Sequence, residues 1–191
     1  MRIYLSPPHM SSNEMAYIKE VFKSNFVAPV GKHLDEFEKK VAGYLGENVH
    51  CVALSSGTAA MHLALEVSGV KSGDEIWCSS MTFAGGVFPI AYVGAKAKFF
   101  DISKSSWTIN IDLLKSELKR AAKRDSLPKA IVPTDLYGLS VDLESLETLA
   151  EEFKITLIVD SAESLGAEAK KGRKAGTGGD CAILSFNGNK I

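Results

Sequence analysis

The chain has 191 residues, 46% of them hydrophobic and 24% charged, with a formal net charge of −1. Those totals exclude a disordered or fibrous polypeptide and leave room for one sizeable core. A near-neutral balance without any Lys/Arg block speaks against a nucleic-acid binder and points to a small-molecule partner.

In chain order, Ser6–Met10 carries two prolines and is read as an extended arm, followed by a helix capped near Ser11 or Ser12 with Met15, Ile18, Val21 and Phe22 on one face. Asn25 to Lys32 is a loop, and a second amphipathic helix places Leu34, Phe37, Val41 and Leu45 on one stripe. From His50 onward the pattern becomes short apolar runs alternating with helical segments. Strands are expected at Val49–Leu54, Glu75–Cys78, Ala97–Phe100, Ala130–Pro133, Ile155–Val159 and Ala182–Phe186. Helices are expected at Thr58–Val67, Phe83–Val93, Asp112–Lys123 and Leu143–Phe153. Such alternation predicts an α/β fold with a mostly parallel sheet flanked by helices on both faces. The expected division is an arm with two helices over residues 1–47 and a ligand-binding domain over 48–191.

The three cysteines, Cys51, Cys78 and Cys181, are odd in number and irregularly spaced beside apolar runs, so reduced thiols are expected, with no disulfide framework and no metal site. No apolar run approaches the roughly 18 residues that span a bilayer, and Met1–Met10 lacks the order of a secretion signal. A cytoplasmic protein with no membrane partner is therefore expected.

Ligands of parallel α/β sheets bind at the carboxyl ends of the strands, so the residues just after each strand are where chemistry is sought. After the first run, Ser55-Ser56-Gly57-Thr58 opens a helix, a start suited to a phosphate because backbone N–H groups and the helix dipole face it. Neither a Walker loop nor a dinucleotide fingerprint is present. His62 and Glu66, four apart, are read as a solvated surface pair. Phe83 stands on a strand-to-helix turn, where it either packs in the core or stacks on a planar ligand. Asp160 emerges from Leu157-Ile158-Val159 and needs a positive or hydrogen-bonding partner to stay charged; capping a helix is its plainer role. Lys190 follows a strand and the turn Asn187-Gly188-Asn189, thirty positions after Asp160, where a lysine beside an apolar interior can act as a carbonyl nucleophile. A phosphate-binding helix start, a flat aromatic, a strand-end acid and a lysine together specify pyridoxal 5′-phosphate (PLP), which has a phosphate, a flat ring, a ring nitrogen to protonate and an aldehyde.

The chain resembles the DegT/DnrJ/EryC1/StrS family of sugar-nucleotide aminotransferases. The resemblance rests on Ser56-Gly57-Thr58-Ala59-Ala60-Met61-His62-Leu63-Ala64-Leu65, Thr82-Phe83, Leu136-Tyr137-Gly138, Asp160-Ser161-Ala162-Glu163-Ser164-Leu165-Gly166 and Ser185-Phe186-Asn187-Gly188-Asn189-Lys190. It implies the large domain of the aspartate aminotransferase fold type, incomplete here because the family's small C-terminal domain lies beyond Lys190. Residue by residue, it implies that Lys190 is the catalytic lysine and forms the Schiff base with PLP. Asp160 pairs with the ring nitrogen, Glu163 approaches the ring hydroxyl, Phe83 stacks on the ring, and Gly57, Thr58 and Ser185 hold the phosphate. The implied reaction is ping-pong transamination, from L-glutamate to C4 of a keto sugar, by a homodimer. The opening Leu5-Ser6-Pro7-Pro8-His9-Met10, with Asn13-Glu14, looks like the enzymes that aminate UDP-linked 4-keto-6-deoxy-N-acetylhexosamines, such as that of the UDP-bacillosamine pathway, in bacterial surface-glycan synthesis. Asp135 departs from the pattern, standing where relatives commonly carry histidine. The alternative expectation is a catalytically inactive N-terminal portion of such an enzyme that at most binds PLP, with open sheet edges and exposed apolar surface.

Overall fold

A computed structural model describes residues 2–4 and 6–190. Met1, Leu5 and Ile191 lie outside the described residues, and with Leu5 the first position of the Leu5–Met10 segment. The chain divides into two compact units, one running up to Ala53 and resuming at Phe186, the other spanning Leu54–Ser185.

In the first unit, α1 (Glu14–Ser24) ends on Asn25 in the left-handed conformation, and α2 (Lys32–Leu45) follows Gly31. The two helices meet through the edge-on rings of Tyr17 and His33, 5.8 Å apart, and an ion pair from Lys32 to Glu20 at 3.1 Å. Of their residues only Val41 is buried. The run 49–54, expected as a strand, is not one. It pairs with no strand among the described residues, and Val52 stays 67% exposed. A β-prone composition becomes a strand only where a neighbouring ladder takes up its N–H and C=O groups; here the Ala53 N–H is bonded instead to the Glu38 carboxylate at 2.8 Å.

The second unit contains α3 (Gly57–Val67), β1 (Glu75–Ser79), α4 (Ala84–Tyr92), β2 (Lys96–Phe100), α5 (Ile111–Ala122), β3 (Ala130–Val132), α6 (Leu143–Phe153), β4 (Thr156–Asp160) and β5 (Cys181–Ile183). The strands form one parallel sheet in the order β2-β1-β3-β4-β5. The strand expected over Ala182–Phe186 is shorter and ends at Ile183, because that is where its register with Asp160 of β4 ends.

Because successive strand residues point to opposite faces, continuous apolar runs feed two cores. Ile76, Cys78, Ala130, Val132 and Ile158 pack with Met61 and Leu65 of α3 and Ile90 of α4. Trp77, Ile131, Leu157 and Val159 pack on the other face with Leu114 and Leu118 of α5 and Leu143, Leu146 and Leu149 of α6. Helix starts are set by side-chain caps: Ser56 accepts from the Ala59 N–H, Asn110 from Leu113 and Asp142 from Ser145. Each is worth about 1 kcal/mol over alanine.

His62 and Glu66 form the expected surface pair, 3.8 Å apart with both side chains exposed. Cys78 is buried, Cys51 and Cys181 are half-buried, and all three are free. Burial pushes the Cys78 thiol up to about 12, so it stays protonated and unreactive at neutral pH. No helix among the described residues is long and apolar enough to cross a membrane.

Arg173 anchors the loop before β5 onto α6 through two bonds to Glu147, at 2.5 and 2.7 Å. The Arg173 hydrogen bond holds the Glu147 carboxyl below its usual range. A lowered folded-state pKa contributes stability above the unfolded value near 4.5, lost as pH falls through the folded value. The two side chains keep 39% and 33% exposure, which limits the contribution to about 1 kcal/mol or less. Glu147→Gln is accordingly expected to lower the melting temperature at pH 7, with the gap from wild type closing as the pH is taken to 3.

Candidate active site

In a parallel sheet the carboxyl ends of all strands share one edge, which draws together residues distant in sequence. Here the ends of β1, β3, β4 and β5 are stitched by hydrogen bonds. The Thr134 N–H donates to Ser79 Oγ at 3.1 Å, and Thr134 Oγ1 donates to Thr82 Oγ1 at 3.0 Å. The Asp160 N–H donates to the Pro133 carbonyl and the Ser161 N–H to that of Ile183, both at 2.9 Å.

Asp160 ends β4 and is 5% exposed, with Oδ1 accepting the Ala162 N–H at 3.2 Å. Its Oδ2 lies against Gly86 in the first turn of α4, where a Cβ would fall 2.5 Å from it. A Cβ on Gly85 would fall 2.7 Å from Thr58 Oγ1 and 3.0 Å from the Phe83 ring. One on Gly57 would meet the Ser185 Cβ at 3.4 Å and the Leu184 carbonyl at 3.5 Å. Gly57, Thr58, Phe83, Asp160 and Ser185 thus converge around a strip of glycine backbone. Phe83 precedes α4 in extended conformation and is 70% exposed, so it is not a core residue.

Glu163 is tied to a tight turn between Leu136 and Leu139, its Oε2 accepting the Tyr137 N–H at 3.1 Å and its carbonyl the Gly138 N–H at 2.9 Å. Tyr137 and Gly138 both have positive φ, 50° and 84°, as a two-residue turn joining Leu136 to Leu139 requires. Lys190 belongs to the first unit, and the turn expected to carry it is present. The Lys190 N–H donates to the Asn187 carbonyl at 2.8 Å, and Ser6 Oγ donates to the Asn189 carbonyl at 2.5 Å.

The sequence reading missed Gly85 and Gly86, whose only signal was a glycine pair where a helix begins. It also left Thr82, Thr134 and Asp135 without a role, since their partners lie on other strands.

A family model for the DegT/DnrJ/EryC1/StrS aminotransferase family matches residues 8–191. The chain belongs to that family. EpsN of Bacillus subtilis is 42% identical over 190 residues, covering 100% of this chain and 48% of that protein. A GDP-perosamine synthase of Caulobacter vibrioides is 36% identical, covering 100% of this chain and 49% of that protein. The PLP form of the sugar aminotransferase homologue Spr1654 from Streptococcus pneumoniae superposes with a TM-score of 0.86 at 26% identity, over 100% of this chain and 50% of that one. The chain therefore spans about half the length of the curated relatives it matches.

The cluster fits the family's cofactor. The Ser56 side chain and carbonyl take the N–H groups of Ala59 and Ala60, and those of Gly57 and Thr58 at the head of α3 suit a phosphate. With no side chain at Gly57, Gly85 and Gly86, the Ser185, Thr58 and Asp160 side chains approach their backbone closely. Gly86 has no unusual φ, so the sole obstacle to a side chain there is steric. Gly86→Ala gains about 1 kcal/mol of helix propensity but drives a methyl into a buried carboxylate. In the full-length protein we expect the clash to prevail, with PLP affinity falling at least about tenfold and the melting temperature dropping. Equilibrium titration of the apoprotein and a thermal melt check this.

Proposed function

We propose that this chain is the cofactor-binding part of a PLP-dependent sugar-nucleotide 4-aminotransferase in polysaccharide or surface-glycan synthesis. The observation that carries the reading is the cluster at the strand ends, where a buried acid, Asp160, and Thr58 of the helix start both lie against the Gly85-Gly86 backbone. We assign residues 48–191 to the cofactor-binding domain and residues 1–47 to its arm.

Bound there, PLP supplies an electron sink for the bond-breaking at the amino donor. The protein's part is positioning and charge. Gly57 and Thr58 offer N–H groups to the phosphate, with the Ser185 hydroxyl beside them. Phe83 presents a ring face to the ring, Asp160 holds a proton on the ring nitrogen, and Glu163 stands by the ring hydroxyl. Lys190 would hold the cofactor through its aldehyde carbon, with water as the leaving group, and its amine would move the proton between the substrate carbon and that cofactor carbon.

The substrates are L-glutamate and a UDP-linked 4-keto-6-deoxy-N-acetylhexosamine. The choice of nucleotide and N-acetyl group is supported by the likeness of the opening segment, Ser6-Pro7-Pro8-His9-Met10 with Asn13-Glu14, to that of enzymes acting on such sugars. A homodimer is proposed as well, supported by Leu63 and Val67 of α3 and Phe88 and Tyr92 of α4, which are exposed and apolar. The full-length protein should convert the UDP-linked keto sugar to its 4-amine with release of 2-oxoglutarate. Amination of a GDP-linked keto sugar instead would replace the proposed nucleotide, and failure to bind PLP would end the reading.

A further inference from the structure

Asp135 is fully buried at the start of the loop that follows β3. Its carboxylate receives three hydrogen bonds: Oδ1 from the Val141 N–H at 2.8 Å, and Oδ2 from Ser161 Oγ at 2.8 Å and Ser164 Oγ at 2.6 Å. Its own N–H donates to the Asp160 carbonyl at 2.9 Å. Ser161 directly follows Asp160 and Ser164 directly follows Glu163, so the donors bracket two proposed cofactor contacts. Val141 closes the far side of the loop whose Tyr137 and Gly138 N–H groups bind Glu163.

We propose that Asp135 is a positioning residue that fixes Asp160 and Glu163, acting through Ser161 and Ser164 without touching the cofactor itself. The inference rests on the PLP reading of the site above. A buried carboxylate is a costly choice for a core and is retained where several donors need one acceptor group in a fixed place. Hydroxyls rotate, so an isosteric amide can serve the same three partners: its oxygen accepts from Val141 and its NH₂ donates to the two serine oxygens. Alanine can serve none. Geometry therefore predicts rescue by asparagine, whereas a requirement for negative charge predicts none.

The test uses the full-length protein and its Asp135→Asn and Asp135→Ala variants, with circular dichroism to establish folding. Amide hydrogen exchange of the apoprotein and PLP affinity are then measured. In Asp135→Ala, exchange over 136–141 and 160–164 should quicken and PLP bind more weakly, each by at least about tenfold, the size of a single lost hydrogen bond. Asp135→Asn should stay within about twofold of wild type in both, well under that loss. Should Asp135→Ala not fold, Ser164→Ala takes its place in both measurements. Unchanged exchange in alanine overturns the proposal, as does faster exchange with wild-type PLP affinity. Failure of the wild type to bind PLP defeats the cofactor reading instead, and the two are told apart because exchange is read without cofactor.

Discussion

Replacing Lys190 with alanine in the full-length protein is expected to abolish the borohydride-sensitive visible absorbance of bound cofactor and to lower transamination by at least about 10³-fold. Proton transfer by a positioned side chain contributes roughly 10²–10⁴, and covalent attachment is lost in addition. The turn that carries the residue is held by the Lys190 N–H to the Asn187 carbonyl and by Ser6 Oγ to the Asn189 carbonyl, and alanine retains both. An absorbance scan with and without borohydride, beside a coupled 2-oxoglutarate assay, checks it. Persistence of the band in the variant would move the role to another lysine.

Asp160→Asn should be the next most damaging change, lowering the turnover number by about 10²–10³, the usual cost of one preorganised electrostatic partner in a water-poor site. The substitution isolates charge from shape. Asparagine has the outline of aspartate, its carbonyl oxygen can keep the Ala162 N–H, and Gly86 leaves the same space beside the second terminal atom. Turnover should therefore fall with these two contacts kept. Near-normal activity in the variant would refute the pairing of Asp160 with the ring nitrogen.

Much of the fold was legible locally. The stripe of Leu143, Leu146 and Leu149 specified α6 to the residue, and the apolar runs around Trp77, Ile131 and Leu157 found their strands within a residue or two. The run 49–54 shows the limit of that reading, since its composition says strand but the ladder that decides it belongs to other segments. Among the proposed site residues, strand-end placement singles out Asp160, and the small-residue turn Ser55-Ser56-Gly57-Thr58 marks the helix start although the run before it is no strand. Phe83 is ambiguous in the sequence, and its exposure excludes the core alternative.

Asp135 could not have been understood from its neighbours in the chain. Its donors stand 6, 26 and 29 positions away, and nothing in the intervening sequence states that they meet. Gly85 and Gly86 are similar: they leave room for Thr58 and Asp160, and Asp160 reaches Gly86 because β4 ends at the same sheet edge as β1, which leads into α4. Periodicity, caps and the order of chemical groups depend on residues within a turn or two of each other, so they can be read along the chain. Which groups share a hydrogen bond, and which backbone must stay bare to admit a carboxylate, depends on sheet order and register, and these exist only once the strands have paired.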